Sequence, residues 1–220
     1  MARELPKGNM PIKFENLDGW FYPLPRSHPS RDMTAGRAQQ YRHRIDDKYT
    51  VGFKLHVTLS AGTYEEDRKV IASALYKGGF AFKIHSLRSQ KGDEDRSFTI
   101  YPKTETDLLS IVLTVMNAAS AHGVTPGIPS KDGVIVPGTN GLVTYHVERV
   151  DEQLLRDMDA AGALSESSKE SLYWSGSLSD TRIDYIVRKQ DGYLNAGIYG
   201  SVRLDAMKFL LEKGPLGFLY

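Results

Sequence analysis

The chain of 220 residues contains no cysteine. That absence excludes disulfides, thiolate zinc sites and cysteine nucleophiles together. No apolar run reaches the ~18–20 residues needed to cross a bilayer, and no apolar signal core follows the opening Met1-Ala2-Arg3-Glu4-Leu5-Pro6-Lys7. Charge of either sign is not in excess: 28 Lys and Arg against 27 Asp and Glu leave a formal net charge of +1. No global field draws such a protein to nucleic acid or to a membrane surface, so any basic site has to be local. Internal repeats and low-complexity tracts are also missing. The expectation is a cytoplasmic protein with no nucleic-acid and no membrane partner, with export by a signal-less secretion system left open.

What is present falls into three stretches. Residues 1–49 are rich in Pro, Arg and Gly, and Phe21-Tyr22-Pro23-Leu24-Pro25-Arg26-Ser27-His28-Pro29 cannot hold a long helix, because each proline removes a donor and restrains its predecessor. This stretch reads as an irregular N-terminal arm. From residue 50 the pattern becomes regular. Val51, Phe53, Leu55, Val57 and Leu59 alternate with Lys54, His56, Thr58 and Ser60, the mark of a half-buried strand. Thr63 with Glu66 reads as a capping box opening a helix that closes near Gly78-Gly79. Strands follow at about 80–86 and 97–102, separated by a charged loop. Thr104 with Asp107 starts a second helix ending before Gly123, and Leu142 to Val150 reads as a fourth strand.

Strand, helix, two strands, helix, strand is a βαββαβ order. It predicts an α+β catalytic core over 50–150, an antiparallel sheet of ferredoxin-like order with helices on one face. Residues 151–220 read as a C-terminal α/β extension packed on that core: helices over 151–160, 165–173 and 204–213, and a strand near 183–187.

By strand parity, the face away from the helices carries Lys54, His56, Lys83, His85, Thr99, Tyr101 and His146. Such a set reads as the floor of a polar site. A Lys-x-His pair with a second lysine on a nearby strand suits chemistry on a phosphorylated substrate. Trp20 and Trp174 read as packing residues.

These segments resemble a known family. Gly52-Phe53-Lys54-Leu55-His56-Val57-Thr58, then Phe82-Lys83, then Phe98-Thr99-Ile100-Tyr101-Pro102 are similar, in the same order, to motifs in the lyase domain of class III and IV lanthipeptide synthetases. Phe21-Tyr22 resembles the element that begins those proteins. The same core is similar to the phosphothreonine lyases that bacterial pathogens secrete as type III effectors. Where the lanthipeptide lyase domains carry Tyr-Arg, this chain has Tyr145-His146, so the arginine's role falls to His146 or to Arg149. With no kinase or cyclase sequence following, a stand-alone lyase is expected.

The resemblance implies β-elimination of phosphate from phosphoserine or phosphothreonine, leaving dehydroalanine or dehydrobutyrine. No cofactor and no metal is needed. Lys83 is then the candidate base for the α-proton, His56 the acid for the leaving oxygen, Lys54 the stabiliser of charge on the substrate carbonyl, and Tyr101 an orienting group. Arg88, Arg96, Lys103, Arg149 and His146 are the candidate phosphate ligands, by charge-assisted bonding. The partner is a phosphorylated peptide or protein, with a separate kinase supplying the phosphate.

Maturation of a ribosomal, lanthipeptide-type peptide is the favoured setting. One alternative is an effector that inactivates a host kinase; its docking segment would fall at residues 3–14, which match poorly. A second is a 2H-type phosphoesterase built on His56-Val57-Thr58, for which His28-Pro29-Ser30 and His146-Val147-Glu148 are the imperfect second elements. A third is a non-catalytic module that binds a phosphopeptide or leader peptide. An RNA-binding sheet lacks its glycine and aromatic signature.

Overall fold

A computed structural model describes residues 12–17, 20–25, 27–30, 43–45, 48–85, 97–102, 104–129, 133–169, 194–195 and 200–212. The architecture is α+β, an antiparallel multi-stranded sheet flanked by helices. The strands are β1 (Phe14–Leu17), β2 (Trp20–Pro23), β3 (His43–Ile45), β4 (Tyr49–Val57), β5 (Ala81–His85), β6 (Phe98–Tyr101), β7 (Val134–Ile135), β8 (Val143–Val150) and β9 (Leu194–Asn195). Among the described residues the helices are α1 (Tyr64–Lys77), α2 (Glu105–His122), α3 (Glu152–Ala160) and, beyond helical residues 166–169, α4 (Gly200–Glu212). Sheet order is β1-β2-β5-β6-β4-β8-β7, with β3 paired to β4 and β9 to β8.

The alternation along each strand decides which side is core. Val51, Leu55 and Val57 of β4, Phe82 and Ile84 of β5, Phe98 and Ile100 of β6, and Val143, Tyr145 and Val147 of β8 are buried in one cluster. Ile71 and Leu75 of α1, Ile111 and Val115 of α2, Leu154 and Met158 of α3, and Met207 and Leu210 of α4 close over them. Each large side chain so buried contributes about 1.5–3 kcal/mol. Tyr145 hydroxyl donates to the Met207 carbonyl, tying β8 to α4 through the same core.

Helix ends follow their local chemistry. α2 starts at Thr104 and Asp107 as read, and the structure shows a capping box there: Thr104 Oγ1 accepts from Asp107 N at 3.1 Å, and Asp107 Oδ2 accepts from Thr104 N at 3.2 Å. Gly123 ends that helix in the left-handed conformation, φ 60°, which glycine adopts without steric cost. At α1 the box does not form. Thr63 Oγ1 donates instead to Asp67 Oδ2 at 2.6 Å, and the same oxygen accepts from Thr125 N at 3.0 Å. A carboxylate is the stronger acceptor, and here it ties the start of α1 to the loop after α2. α3 is capped by Asp151, whose Oδ1 accepts from Leu154 N at 2.8 Å.

Two readings are corrected. Part of the arm read as irregular, Phe14 to Pro23, is a β-hairpin that extends the sheet beyond β5, with Phe14 opposite Pro23 and Trp20 opposite His85. The last helix begins at Gly200, four residues ahead of the expected start. The expected strand near 183–187 and the helix beyond 169 lie outside the described residues.

Candidate active site

The sheet face turned away from the described helices is built by register. Lys83 pairs with Thr99 across β5 and β6, Thr99 with His56 across β6 and β4, and His56 with Thr144 across β4 and β8. These four residues form one row across the sheet, so Lys83 and His56 stand on the same face two strands apart, about 10 Å at their Cα atoms. Lys54 pairs with His146 and Ala81 with Tyr101, so Lys54, His146 and Tyr101 also point to this side.

The imidazoles lie below the surface and the lysines reach it. His56 is 1% exposed and His146 fully buried, whereas Lys54, Lys83 and His85 are half-buried. The floor of a polar site was expected; Thr99, Tyr101 and Thr144 are buried along with the two imidazoles. Part of the cover is backbone. A Cβ placed on Gly133, just before β7, would come within 2.4 Å of His146 Nε2, so this loop lies directly against the ring.

His56 is held in a defined tautomer. Its Nδ1 is 3.2 Å from the Phe98 carbonyl oxygen and 3.2 Å from Thr99 Oγ1. A carbonyl only accepts, so Nδ1 carries the hydrogen, and the exchangeable proton belongs to Nε2. The His146 ring stands edge-on to His56 with centroids 4.3 Å apart, and its Nε2 is 3.3 Å from Thr144 Oγ1. Thr99 Oγ1, Thr144 Oγ1 and the backbone at Gly133 thus lie against the two rings.

The Lys83 amine lies 4.0 Å from the centroid of the Trp20 ring and 5.7 Å from that of Tyr101. Trp20 and Tyr22 of the hairpin form a small apolar cluster with Ala81 and Tyr101 beside it. Trp20 therefore adds to the packing role read from sequence a direct contact with the candidate base. The hairpin context that places it there was not legible among the prolines.

Of the candidate phosphate ligands, the structure brings His146 to the face. Arg88, Arg96 and Lys103 lie outside the described residues. Arg149 is placed by its backbone alone, opposite Gly52 on β4 and Asn195 on β9.

His28 and Ser30 lie elsewhere. His28 stacks on Tyr76 of α1 at 4.8 Å and meets the edge of Phe82, a helix-side core residue. This His-x-Ser element is thus on the opposite side of the sheet from His56. Its Nδ1 accepts from Ser30 N at 3.3 Å and pairs with Ser30 Oγ at 2.9 Å, and that oxygen accepts from Phe82 N at 2.8 Å. Burial lowers the His28 pKa from its usual 6.5, keeping the ring neutral.

At the far end of β4, Asp157 Oδ2 accepts from Tyr49 Oη at 2.7 Å and pairs with Lys48 Nζ at 2.6 Å. The hydrogen bond from Lys48 is the largest cause holding the Asp157 carboxyl below its usual range. Lys48 is exposed here, Asp157 belongs to α3, and Tyr49 is buried in the core. Among the described residues, no helix is long and apolar enough to cross a membrane, and no group of three His, Asp or Glu side chains converges as metal ligands.

No family model and no curated protein matches the chain. Solved structures similar to it include the type III effector/phosphothreonine lyase OspF from Shigella flexneri, at 15% identity and TM-score 0.44, covering 67% of this chain and 72% of that one. The Chromobacterium violaceum VirA (SpvC) phosphothreonine lyase effector gives 14% identity and TM-score 0.42, with 61% and 64% covered. The Salmonella plasmid virulence C protein (SpvC) gives 13% and 0.41, with 66% and 74% covered. The likeness is one of partial fold.

Proposed function

We propose that this chain is a lyase that eliminates phosphate from phosphoserine or phosphothreonine in a peptide or protein. The observation that carries the reading is the cross-strand row: Lys83, Thr99 and His56 on one face, with Lys54 projecting beside them.

The step balances with these groups alone. Lys83 Nζ, as the neutral amine, takes the α-proton; the released electron pair becomes the Cα–Cβ double bond; the Cβ–O bond breaks. His56, entering as the imidazolium, gives its Nε2 proton to the departing oxygen and is left as the neutral Nδ1–H tautomer, so phosphate leaves as a weakly basic anion. Lys54 steadies the negative charge that gathers on the substrate carbonyl in the transition state. The hydrogen bonds from His56 Nδ1 fix which nitrogen does the work. Solvent proton exchange then resets the lysine and the imidazole. A positioned acid or base contributes about 10²–10⁴-fold, so two of them on one rigid sheet supply a large part of the acceleration.

The substrate class requires prior phosphorylation by a kinase activity. Maturation of a ribosomal peptide and inactivation of a phosphorylated kinase use the same step, and turnover of a precursor peptide against a phosphorylated kinase separates them.

A second reading rests on one observation, the two imidazoles 4.3 Å apart on adjacent antiparallel strands. They would act as acid and base in phosphoester hydrolysis. Product mass decides. A phosphothreonine peptide that loses the mass of phosphoric acid and then adds a thiol has undergone elimination. One that loses only the mass of HPO₃ and keeps its hydroxyl has been hydrolysed, and the lyase reading falls.

A further inference from the structure

Trp20 is anchored to this site from a distance. Its hairpin is closed by Leu24 N donating to Lys13 O at 2.7 Å and held to α1 by Tyr76 Oη donating to Leu24 O at 3.2 Å. Six residues on, the buried Ser30 hydroxyl links His28 to the backbone of Phe82 on β5, the strand that carries Lys83. At the other end of the segment the indole is packed edge-on to His85 at 4.4 Å. The backbone of the segment is thus fixed to α1 and to β5, while the ring itself packs on His85 of β5 and presents its face to the Lys83 amine.

We propose that Trp20 is a positioning residue for Lys83, an indole platform that holds the amine at one point above the sheet and favours its ammonium form until substrate arrives. The physical basis is the negative face of the indole, which attracts a cation and has no such attraction for a neutral amine. A lysine also has a long flexible stem, and a platform removes the wandering that would blur its distance to the α-carbon. The catalytic part of this inference rests on the lyase reading; the contact itself does not.

Other charges on the face bear on the same amine. Glu15, opposite Tyr22 in the hairpin, favours the ammonium, and Lys54 opposes it. His85 on the same strand, His56 of β4 and His146 of β8 oppose it when protonated. Tyr101 meets the amine through its ring, 5.7 Å away at the centroid. None of these changes identity when Trp20 is replaced, so substitution at 20 isolates the indole.

The test is titration of Lys83 in protein carrying isotope-labelled lysine, the signal assigned by its loss in Lys83→Met. Relative to the unsubstituted protein, the midpoint in Trp20→Leu should fall by about half to one and a half pH units. Trp20→Phe, which keeps a weaker aromatic face in the same cavity, should fall by less and serves if the leucine variant does not fold. A midpoint unchanged in the folded variants overturns the proposal. With substrate, the rise of kcat/KM with pH in Trp20→Leu should move to lower pH by the same amount while its plateau drops about tenfold or more. A uniform loss with no movement along the pH axis marks a merely structural ring and also overturns it. Failure of the lyase reading is separate: the protein would then turn over no phosphopeptide, yet the Lys83 midpoint would still shift in Trp20→Leu.

Discussion

Replacing Gly133 by alanine tests whether the loop before β7 is the roof of the His146 pocket. The added methyl would sit 2.4 Å from His146 Nε2, 2.6 Å from Cε1 and 3.0 Å from Cδ2. Carbon packs comfortably at about 3.5–4.0 Å, so the ring or the loop must give by about 1 Å. The ring is fully buried and stands against His56, which leaves it little room. Overpacking of this kind costs about 1–3 kcal/mol. The loss of chain entropy in the unfolded state returns about 0.4–1 kcal/mol. A net loss of about 1–2 kcal/mol corresponds to a melting temperature lower by about 3–6 °C for a chain of this size. The assay is thermal and urea unfolding of Gly133→Ala alone and in a His146→Ala background, where the obstacle has gone. The penalty should disappear in that background, a coupling of about 1–2 kcal/mol. Equal effects of Gly133→Ala in the two backgrounds, or none in either, would refute the contact.

Three further outcomes follow from the same geometry. Lys83→Met and His56→Asn should each lower kcat/KM for a phosphothreonine peptide by about 10²-fold or more while circular dichroism stays that of the folded protein; full activity in either removes that residue from the mechanism. His28 is held neutral, its folded pKa below its unfolded value, so the unfolded chain takes up the proton first as pH falls. Its stabilising contribution is therefore present above about pH 6.5 and lost as pH falls toward the folded pKa; urea midpoints measured across that window should show a slope that shrinks in His28→Gln. Incubation with EDTA should leave phosphopeptide turnover unchanged, since every proton and charge in the proposed step is handled by side chains; loss of activity restored by a divalent ion would require a metal the mechanism does not use.

The polar face was legible because strand parity is strict. Lys54 and His56, Lys83 and His85, Thr99 and Tyr101 each sit two apart, and core residues between them fix the side to which they turn. The start of α2 was equally plain, because Thr104 and Asp107 lie within one turn of each other in the sequence. At α1 the same logic failed: Asp67, one residue past the expected Glu66, met both Thr63 and the distant Thr125, and a bond to residue 125 is invisible in a local pattern. The β1–β2 hairpin was hidden by Pro23 and Pro25. A proline is tolerated at a strand's end, and here Pro23 is the last residue of β2. The depth of His56 and His146 depends on how chain from 133 onward folds back across the sheet, which periodicity along a strand cannot reveal. Trp20 read as packing because its contact with Lys83 depends on a strand pairing that joins residues 20 and 85.

The reading stands most directly on which bond to phosphate breaks. Turnover of a phosphothreonine peptide in heavy-oxygen water, followed by mass analysis of the released phosphate, reports this without reference to any variant. Elimination cleaves carbon from oxygen, so the phosphate should leave with its original oxygens and the peptide with an alkene. Phosphate that has acquired solvent oxygen, beside a peptide that regains its hydroxyl, would mean hydrolysis at phosphorus and would contradict the roles given to Lys83 and His56.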